Sequence, residues 1–389
     1  MIDETVKFLA ELVNTDSTNP PANEDGVAQC VADYLRRNDV VVHRQVVAPG
    51  RSNLIASLTD GLTTQRPSLC FCGHLDTVPI GSAEWTHDPF GGEVAGGNLF
   101  GRGASDMKSG VAAMAVMMAR LRKMPNSAGW PIQLLLTVGE EVDSVGAQEF
   151  LSQYGVTHIG GMVIGEPTNG DVVVGHKGAQ WVEVECFGRT AHGSMPQLGI
   201  NAIDQSLEAI RLLYQLRPEL QAAADAVLGS STATITQMGA GIQTNVIPDR
   251  AFFQVDMRFA KPEVQQRFMD HWQQALDEHM QTHPEFRYEW HQLLNRAPLM
   301  TPPTHPLIQK AQELLKLNPD SWRTVSYYTD GSVLAAPTKI PTLIYGPGDD
   351  KLAHQPDESV SIAAFSESIE FYRELAVSYG RGDWQLRKG

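Results

Sequence analysis

Five side chains along this 389-residue chain are of the types that ligate divalent metals, and each closes a short apolar run. They are His74 in Gly73-His74-Leu75-Asp76, Asp106 in Ser105-Asp106-Met107-Lys108, Glu141 in Gly139-Glu140-Glu141, Glu166 in Gly165-Glu166-Pro167, and His354 in Ala353-His354-Gln355. Imidazole and carboxylate donors without thiolates suit a catalytic zinc site better than a structural one, which is usually built on Cys. Five donors are too many for a single zinc that keeps a position open. They suit two zincs ~3.5–4 Å apart that share a bridging carboxylate and a bridging water. Three carboxylates and one hydroxide balance the charge of two zincs. Glu140 is then left over, next to Glu141 but facing elsewhere in extended chain. A spare carboxylate beside a metal-bound water is what a hydrolase needs as general base. Taken singly, each acid reads equally well as a solvated loop residue. Their recurrence after strand-like runs argues for one site.

The elements that must position these residues are legible in the hydrophobic pattern. Ile2, Val6, Leu9 and Val13 recur at helical spacing, as do Val27, Val31 and Leu35. Strand-like runs follow at 40–47, 54–58, 69–72 and 132–138. The segment 109–124 is apolar almost all round, which predicts a buried helix starting just after Asp106. Helices alternating with continuous apolar strands predict an α/β sheet covered on both faces, with chemistry at the carboxyl ends of its strands. From about residue 179 the rhythm changes. Strands are expected at 181–187, 232–238, 251–259 and 286–291, and helices at 202–216 and 262–281, which is the ferredoxin-like order. The α/β pattern then resumes with a helix at 305–317, a strand at 341–345 and a last helix near 359–377. The reading is one catalytic domain, 1–178 plus 295–389, interrupted by an inserted α+β domain at 179–294. The tail after Gly380 is expected to be loose.

Composition narrows the function classes. Forty-five acids against 30 bases give a net charge of −15. That argues against nucleic acid and anionic membrane as partners and favours a cationic or zwitterionic substrate. Cys30, Cys70, Cys72 and Cys186 show neither zinc-finger spacing nor the density of a disulfide scaffold, and read as small core residues. No basic start with an apolar signal core and no long apolar run is evident, so a cytoplasmic location is expected.

The stretches Gly73-His74-Leu75-Asp76-Thr77-Val78-Pro79, Trp85-Thr86-His87-Asp88-Pro89-Phe90, and Gly101-Arg102-Gly103 through Asp106-Met107-Lys108 carry a specific resemblance. They resemble the zinc-dependent amidohydrolases and exopeptidases that include acetylornithine deacetylase, succinyl-diaminopimelate desuccinylase, aminoacylase and glutamate carboxypeptidase. The resemblance continues to His354 and so covers nearly the whole chain. It implies a zinc-exopeptidase-like catalytic domain whose inserted domain serves as lid and dimer interface. It further implies that His74 and Glu166 hold one zinc, Glu141 and His354 the other, that Asp106 bridges, and that Glu140 is the base. Asp76 would be the carboxylate that orients the His74 imidazole, a role that metal-bound histidines generally require. The family's cis peptide after its bridging Asp maps onto Asp106-Met107.

Three residues of the insert match functional positions of that family. His192, in Gly188-Arg189-Thr190-Ala191-His192-Gly193-Ser194, corresponds to a histidine that reaches the partner subunit's active site and stabilises the developing oxyanion. Asn245, in Thr244-Asn245-Val246-Ile247-Pro248, corresponds to a substrate-contacting Asn. Arg258 corresponds to an Arg that binds the substrate carboxylate, for which a guanidinium fork is well shaped. Gly346 and Gly348 either let substrate approach the backbone or form an ordinary turn. Ser332 stands where the desuccinylase branch has Arg, in Tyr328-Thr329-Asp330-Gly331-Ser332, which argues against a strict desuccinylase.

The expectation from all of this is a homodimeric amidohydrolase with two Zn2+ per subunit, for which Co2+ or Mn2+ can substitute. It would remove the acyl group of a small N-acyl amino acid, most like acetylornithine deacetylase. The alternatives are a dipeptidase or carboxypeptidase using the same site, and an inactive binding relative, which the presence of Glu140, all five donors and His192 disfavours.

Overall fold

The computed structural model describes residues 3–59 and 66–386, so Ile2 and residues 387–389 lie outside it. The chain divides into two compact units. One comprises Met1–Gly175, Leu299–Thr324 and Thr329–Gly389; the other comprises His176–Pro298 and Val325–Tyr328. The second limit falls after the expected 295 because the strand read at 286–291 runs later, over Tyr288–Arg296, and the first falls three residues before the expected 178. The short return at 325–328 has no signal in the sequence.

In the first unit the strands lie in the order Val41–Ala48, Arg51–Ser57, Ile132–Thr137, Ser68–His74, Ile159–Ile164, Thr342–Ile344, Val173–His176 and Leu299–Met300. The strands Ser68–His74, Ile132–Thr137 and Ile159–Ile164 are buried at every residue, the signature of a sheet covered on both faces. They run parallel, with His74 opposite Thr137 and Cys72 opposite Ile164. Their carboxyl ends therefore come out side by side. The helix Lys108–Arg122 buries every residue except Arg120 and Arg122. It packs on the helix Ile362–Arg381, whose Phe365, Ile369, Tyr372 and Leu375 join the same core. The tail beyond Gly380 is tied down rather than loose as far as Leu386, the last described residue. The helix runs to Arg381, the Trp384 indole N–H donates to Ser378 Oγ at 2.9 Å, and Leu386 is buried.

The second unit is an antiparallel sheet in the order Thr232–Ala240, Arg250–Phe259, Gly178–Phe187 and Tyr288–Arg296. With the helices Ala202–Ala222 and Pro262–Thr282 it has the ferredoxin-like arrangement. Val182, Val184, Phe253 and Val255 alternate on one face of the sheet and pack with Leu213, Leu276 and Trp272 of the helices. The first of these helices continues through Pro218 to Ala222, beyond the expected stop at 216, because Leu220 is drawn into that core. Among the described residues, no helix is long and apolar enough to cross a membrane.

Candidate active site

The aligned carboxyl ends of the central strands build the site. His74 is the last residue of its strand, Glu140 and Glu141 lie in the turn after Thr137, and Glu166 lies two residues beyond Ile164. Gly139, which opens the Glu140–Glu141 turn, has φ +82°, and a Cβ there would meet Arg51 Nη2 at 2.7 Å. The turn therefore needs glycine. Asp106 precedes the helix Lys108–Arg122, and its peptide bond to Met107 is cis. His354 comes from the loop between the strand Thr342–Ile344 and the final helix.

All five expected donors converge. Asp106 faces both imidazoles: its Oδ1 is 3.1 Å from His74 Nε2, and its Oδ2 is 3.5 Å from His354 Nε2. His74 Nε2 is also 3.7 Å from Glu166 Oε1, and His354 Nε2 is 3.2 Å from Glu141 Oε2. Donor atoms of His74, Asp106 and Glu141 lie within 4.8 Å of one another, as do those of His74, Glu140 and Glu166.

The electrostatics fit divalent cations. Burial, reinforced by neighbouring Glu166, pushes Glu140 well above the usual carboxylate range. Burial also raises Glu141, with Asp106 adding to it, and lifts Glu166 to about 8. Hydrogen bonds to Asp106 and Glu141 raise His354 to about 10. His74 is held well above its ordinary value by Glu166 and Asp106 although its burial opposes this. Burial likewise works against ionisation of Asp106, yet His354 and His74 hold it well below its ordinary value. A buried crowd of carboxylates that retains protons, with two imidazoles for countercharge, is relieved by cations that accept oxygen and nitrogen donors. The residues present fit a pair of such ions.

Comparison with known proteins gives the family. The profile of peptidase family M20/M25/M40 matches residues 70–378. The chain belongs to this family. It is accordingly a hydrolase acting on amide bonds. A Staphylococcus aureus (strain MSSA476) protein named "probable succinyl-diaminopimelate desuccinylase" is 26% identical over 97% of this chain and 97% of its own. An M20 family metallo-carboxypeptidase from Sulfolobus solfataricus shares the fold with a TM-score of 0.78 at 17% identity, over 98% of this chain and 100% of that one. A Bacillus subtilis protein described as a dinuclear metal binding peptidase from the M20 family has a TM-score of 0.69 at 16% identity, over 96% of each chain.

Within this M20 chain, Asp76 holds more than the imidazole environment expected of it. His74 Nδ1 lies 3.0 Å from the backbone carbonyl of Asp76, whereas the nearer carboxylate oxygen is 3.6 Å away, beyond hydrogen-bond range. The imidazole is oriented by that carbonyl. The carboxylate instead gathers the Glu140–Glu141 turn: Oδ1 accepts from the N–H of Gly139 and of Glu140 at 3.1 Å each, and Oδ2 from that of Glu141 at 3.2 Å. Asn19 Nδ2 donates to Oδ2 at 2.9 Å. Burial opposes ionisation of Asp76, but His74, Asn19 and these amides hold its pKa below the ordinary value. Asp76→Asn would turn an NH2 toward one pair of these donors. It is expected to lose about 10–100-fold in kcat/KM, in zinc affinity, or in both. Wild-type values for both quantities would contradict this positioning role. The only sequence signal for Asn19 is the break at Asn19-Pro20-Pro21 after the first helix.

The remaining expected residues have mixed outcomes. Gly346 and Gly348 are buried, and the close approach they permit is to the protein's own backbone. A Cβ on Gly346 would lie 2.4 Å from the carbonyl oxygens of Gly165 and Glu166, and one on Gly348 would lie 2.1 Å from that of Ser105. This close packing seats the loops carrying Glu166 and Asp106. Ser332 is buried beside Asp330 in the short helix Gly331–Leu334.

In the second unit, His192 and Asn245 are exposed neighbours, joined by the Gly193 N–H donating to Asn245 O at 2.8 Å. The Ser194 N–H donates to His192 Nδ1 at 3.1 Å. A neutral His192 therefore carries its proton on Nε2. Arg258 directs Nε and Nη2 at Asp256, at 2.7 and 2.9 Å, while its buried Nη1 has no acceptor.

Proposed function

We propose that the chain is a two-zinc amidohydrolase that removes the acyl group from the amine of a small amino acid, as acetylornithine deacetylases do. The observation that carries this reading is Asp106 facing both His74 and His354, with Glu140 at the edge of the same cluster. His74 and Glu166 would hold one ion, His354 and Glu141 the other, with Asp106 between them; Co2+ or Mn2+ would also suit this N and O donor set. Bound there, the ions supply Lewis-acid polarisation of the amide carbonyl and a water that deprotonates near neutral pH. Glu140 takes the proton of the attacking water on its carboxylate and later gives it to the leaving amine. Its burial favours the protonated form, the state in which it returns the proton to the leaving amine. His192 donates from Nε2 to the developing oxyanion. By the family resemblance it reaches the site of a second copy in a homodimer. Asn245 is assigned to contact the substrate, and the free Nη1 of Arg258 to its carboxylate.

A second reading, a metallo-dipeptidase or carboxypeptidase, is favoured by the likeness to a metallo-carboxypeptidase, since both reactions break an amide beside a carboxylate. Turnover of N-acetyl-ornithine, N-succinyl-diaminopimelate and a dipeptide panel, measured side by side with zinc or cobalt added, separates the two. The deacylase reading predicts at least about tenfold higher kcat/KM on an N-acyl amino acid, ~1.4 kcal/mol in transition-state binding. A dipeptide as best substrate would replace it with the second reading. The net charge of −15 supports an acyl amino acid with a cationic side chain.

A further inference from the structure

Glu358 is fully buried, four residues after His354, and nothing in the local sequence marks it. Its Oε1 accepts from the backbone N–H groups of Ser105 at 2.8 Å and Asp106 at 2.9 Å. Its Oε2 accepts from Arg102 Nη1 at 2.5 Å, and its backbone carbonyl accepts from the Gly101 N–H at 2.8 Å. Arg102 is itself only 1% exposed. Its guanidinium also donates to Gln355 O at 3.4 Å and Pro79 O at 3.3 Å, and it lies 5.1 Å from the Trp85 ring centroid. One ion pair thus joins three loops: the one that follows His74 and Asp76, the one that ends in Asp106, and the one that starts at His354.

The His354 loop needs such an anchor. His354 has φ +64° and Asp357 has φ +54°. Non-glycine residues keep this left-handed conformation only where their surroundings impose it. Asp357 is held from one side, accepting from Thr86 N–H and His87 N–H at 2.8 and 3.0 Å. Glu358 holds the other side through Ser105 and Asp106. A buried ion pair is a poor source of stability, because desolvation offsets much of its attraction. Its placement on the amide of Asp106 itself gives it a more specific use.

We propose that the Arg102–Glu358 pair is a positioning clamp that sets Asp106 and His354 at ligating separation before any metal arrives. The proposal rests on the reading of these residues as metal ligands. The clamp acts on the ion shared by Asp106, Glu141 and His354 more than on the one beside His74 and Glu166.

Glu358→Gln tests this, since a side-chain amide that still accepts from Ser105 and Asp106 must turn its NH2 toward the guanidinium. Zinc competition with a chromophoric chelator on the full chain should show the weaker of two bound equivalents losing about 10–100-fold in affinity. The Co2+-loaded protein should show an altered visible spectrum. Pairing Glu358→Gln with Arg102→Gln, which restores a donor–acceptor match, should recover part of the loss. A measurement free of any variant is amide hydrogen exchange on metal-free wild-type protein, where the Ser105 and Asp106 amides should be protected. Unchanged affinity of both equivalents in Glu358→Gln, or unprotected amides in metal-free wild type, overturns the clamp. If Glu358→Gln fails to fold, Arg102→Lys and the exchange measurement decide. Wild-type protein that binds no zinc in the same titration rejects the metal reading instead, whereas two wild-type equivalents with an unaffected variant reject the clamp alone.

Discussion

Glu140→Gln is expected to lower turnover by about 10²–10⁴-fold while leaving zinc content at the wild-type level. Glutamine preserves shape and hydrogen bonding but accepts no proton, so the attacking water keeps its proton and the leaving amine receives none. Geometry alone leaves two roles open to this residue, because Glu140 lies within donor distance of His74 and Glu166. The variant separates them. A base gives an inactive, metal-loaded enzyme; a ligand gives an enzyme depleted of metal. Glu141→Ala is the control, and it should lose zinc, because Glu141 is paired with His354 at 3.2 Å. Similar zinc loss from both variants would mean that the adjacent pair is wrongly divided.

His192→Ala is expected to cost about 10²–10³-fold in turnover with zinc content unchanged, the usual effect of losing one oxyanion donor. The Ser194 N–H on Nδ1 leaves the Nε2 proton available for that bond. If His192 serves the site of a second copy, mixing His192→Ala with Glu140→Ala subunits should restore activity. In each heterodimer, the site on the His192→Ala chain keeps its own Glu140 and receives an intact His192 from its neighbour. Subunit exchange without recovery would mean that His192 acts within its own chain or not at all.

Much of this site is legible in sequence because parallel, doubly covered strands appear as uninterrupted apolar runs. Such runs at 69–72 and 132–138 announce central strands, and a donor at the end of each falls at the edge where neighbouring strands also end. What the sequence does not show depends on contacts between distant segments. The His74-Leu75-Asp76 spacing points Asp76 at the imidazole, but its hold on the amides at 139–141 appears only when the fold brings them near. The packing that requires glycine at 346 and 348 is hidden in the same way, because the carbonyls they approach belong to Gly165, Glu166 and Ser105. Glu358 left no trace at all, since its partners lie some 250 positions earlier. Helix extension through Pro218 shows core packing at Leu220 overriding a local stop signal.

The central claim is that this cluster takes two metal ions. Calorimetric titration of chelator-treated protein with zinc, repeated in buffers of different ionisation enthalpy, tests it most directly. In the metal-free protein contacts with neighbouring carboxylates push His354 up to about 10 and raise His74, and burial lifts Glu166 to about 8, so the cluster retains protons near neutral pH. Zinc requires these groups deprotonated, so loading must release protons, and affinity must fall as pH is lowered through these values. The account predicts two equivalents per chain with on the order of two or three protons expelled. A single equivalent, or two that bind without proton release, would contradict it.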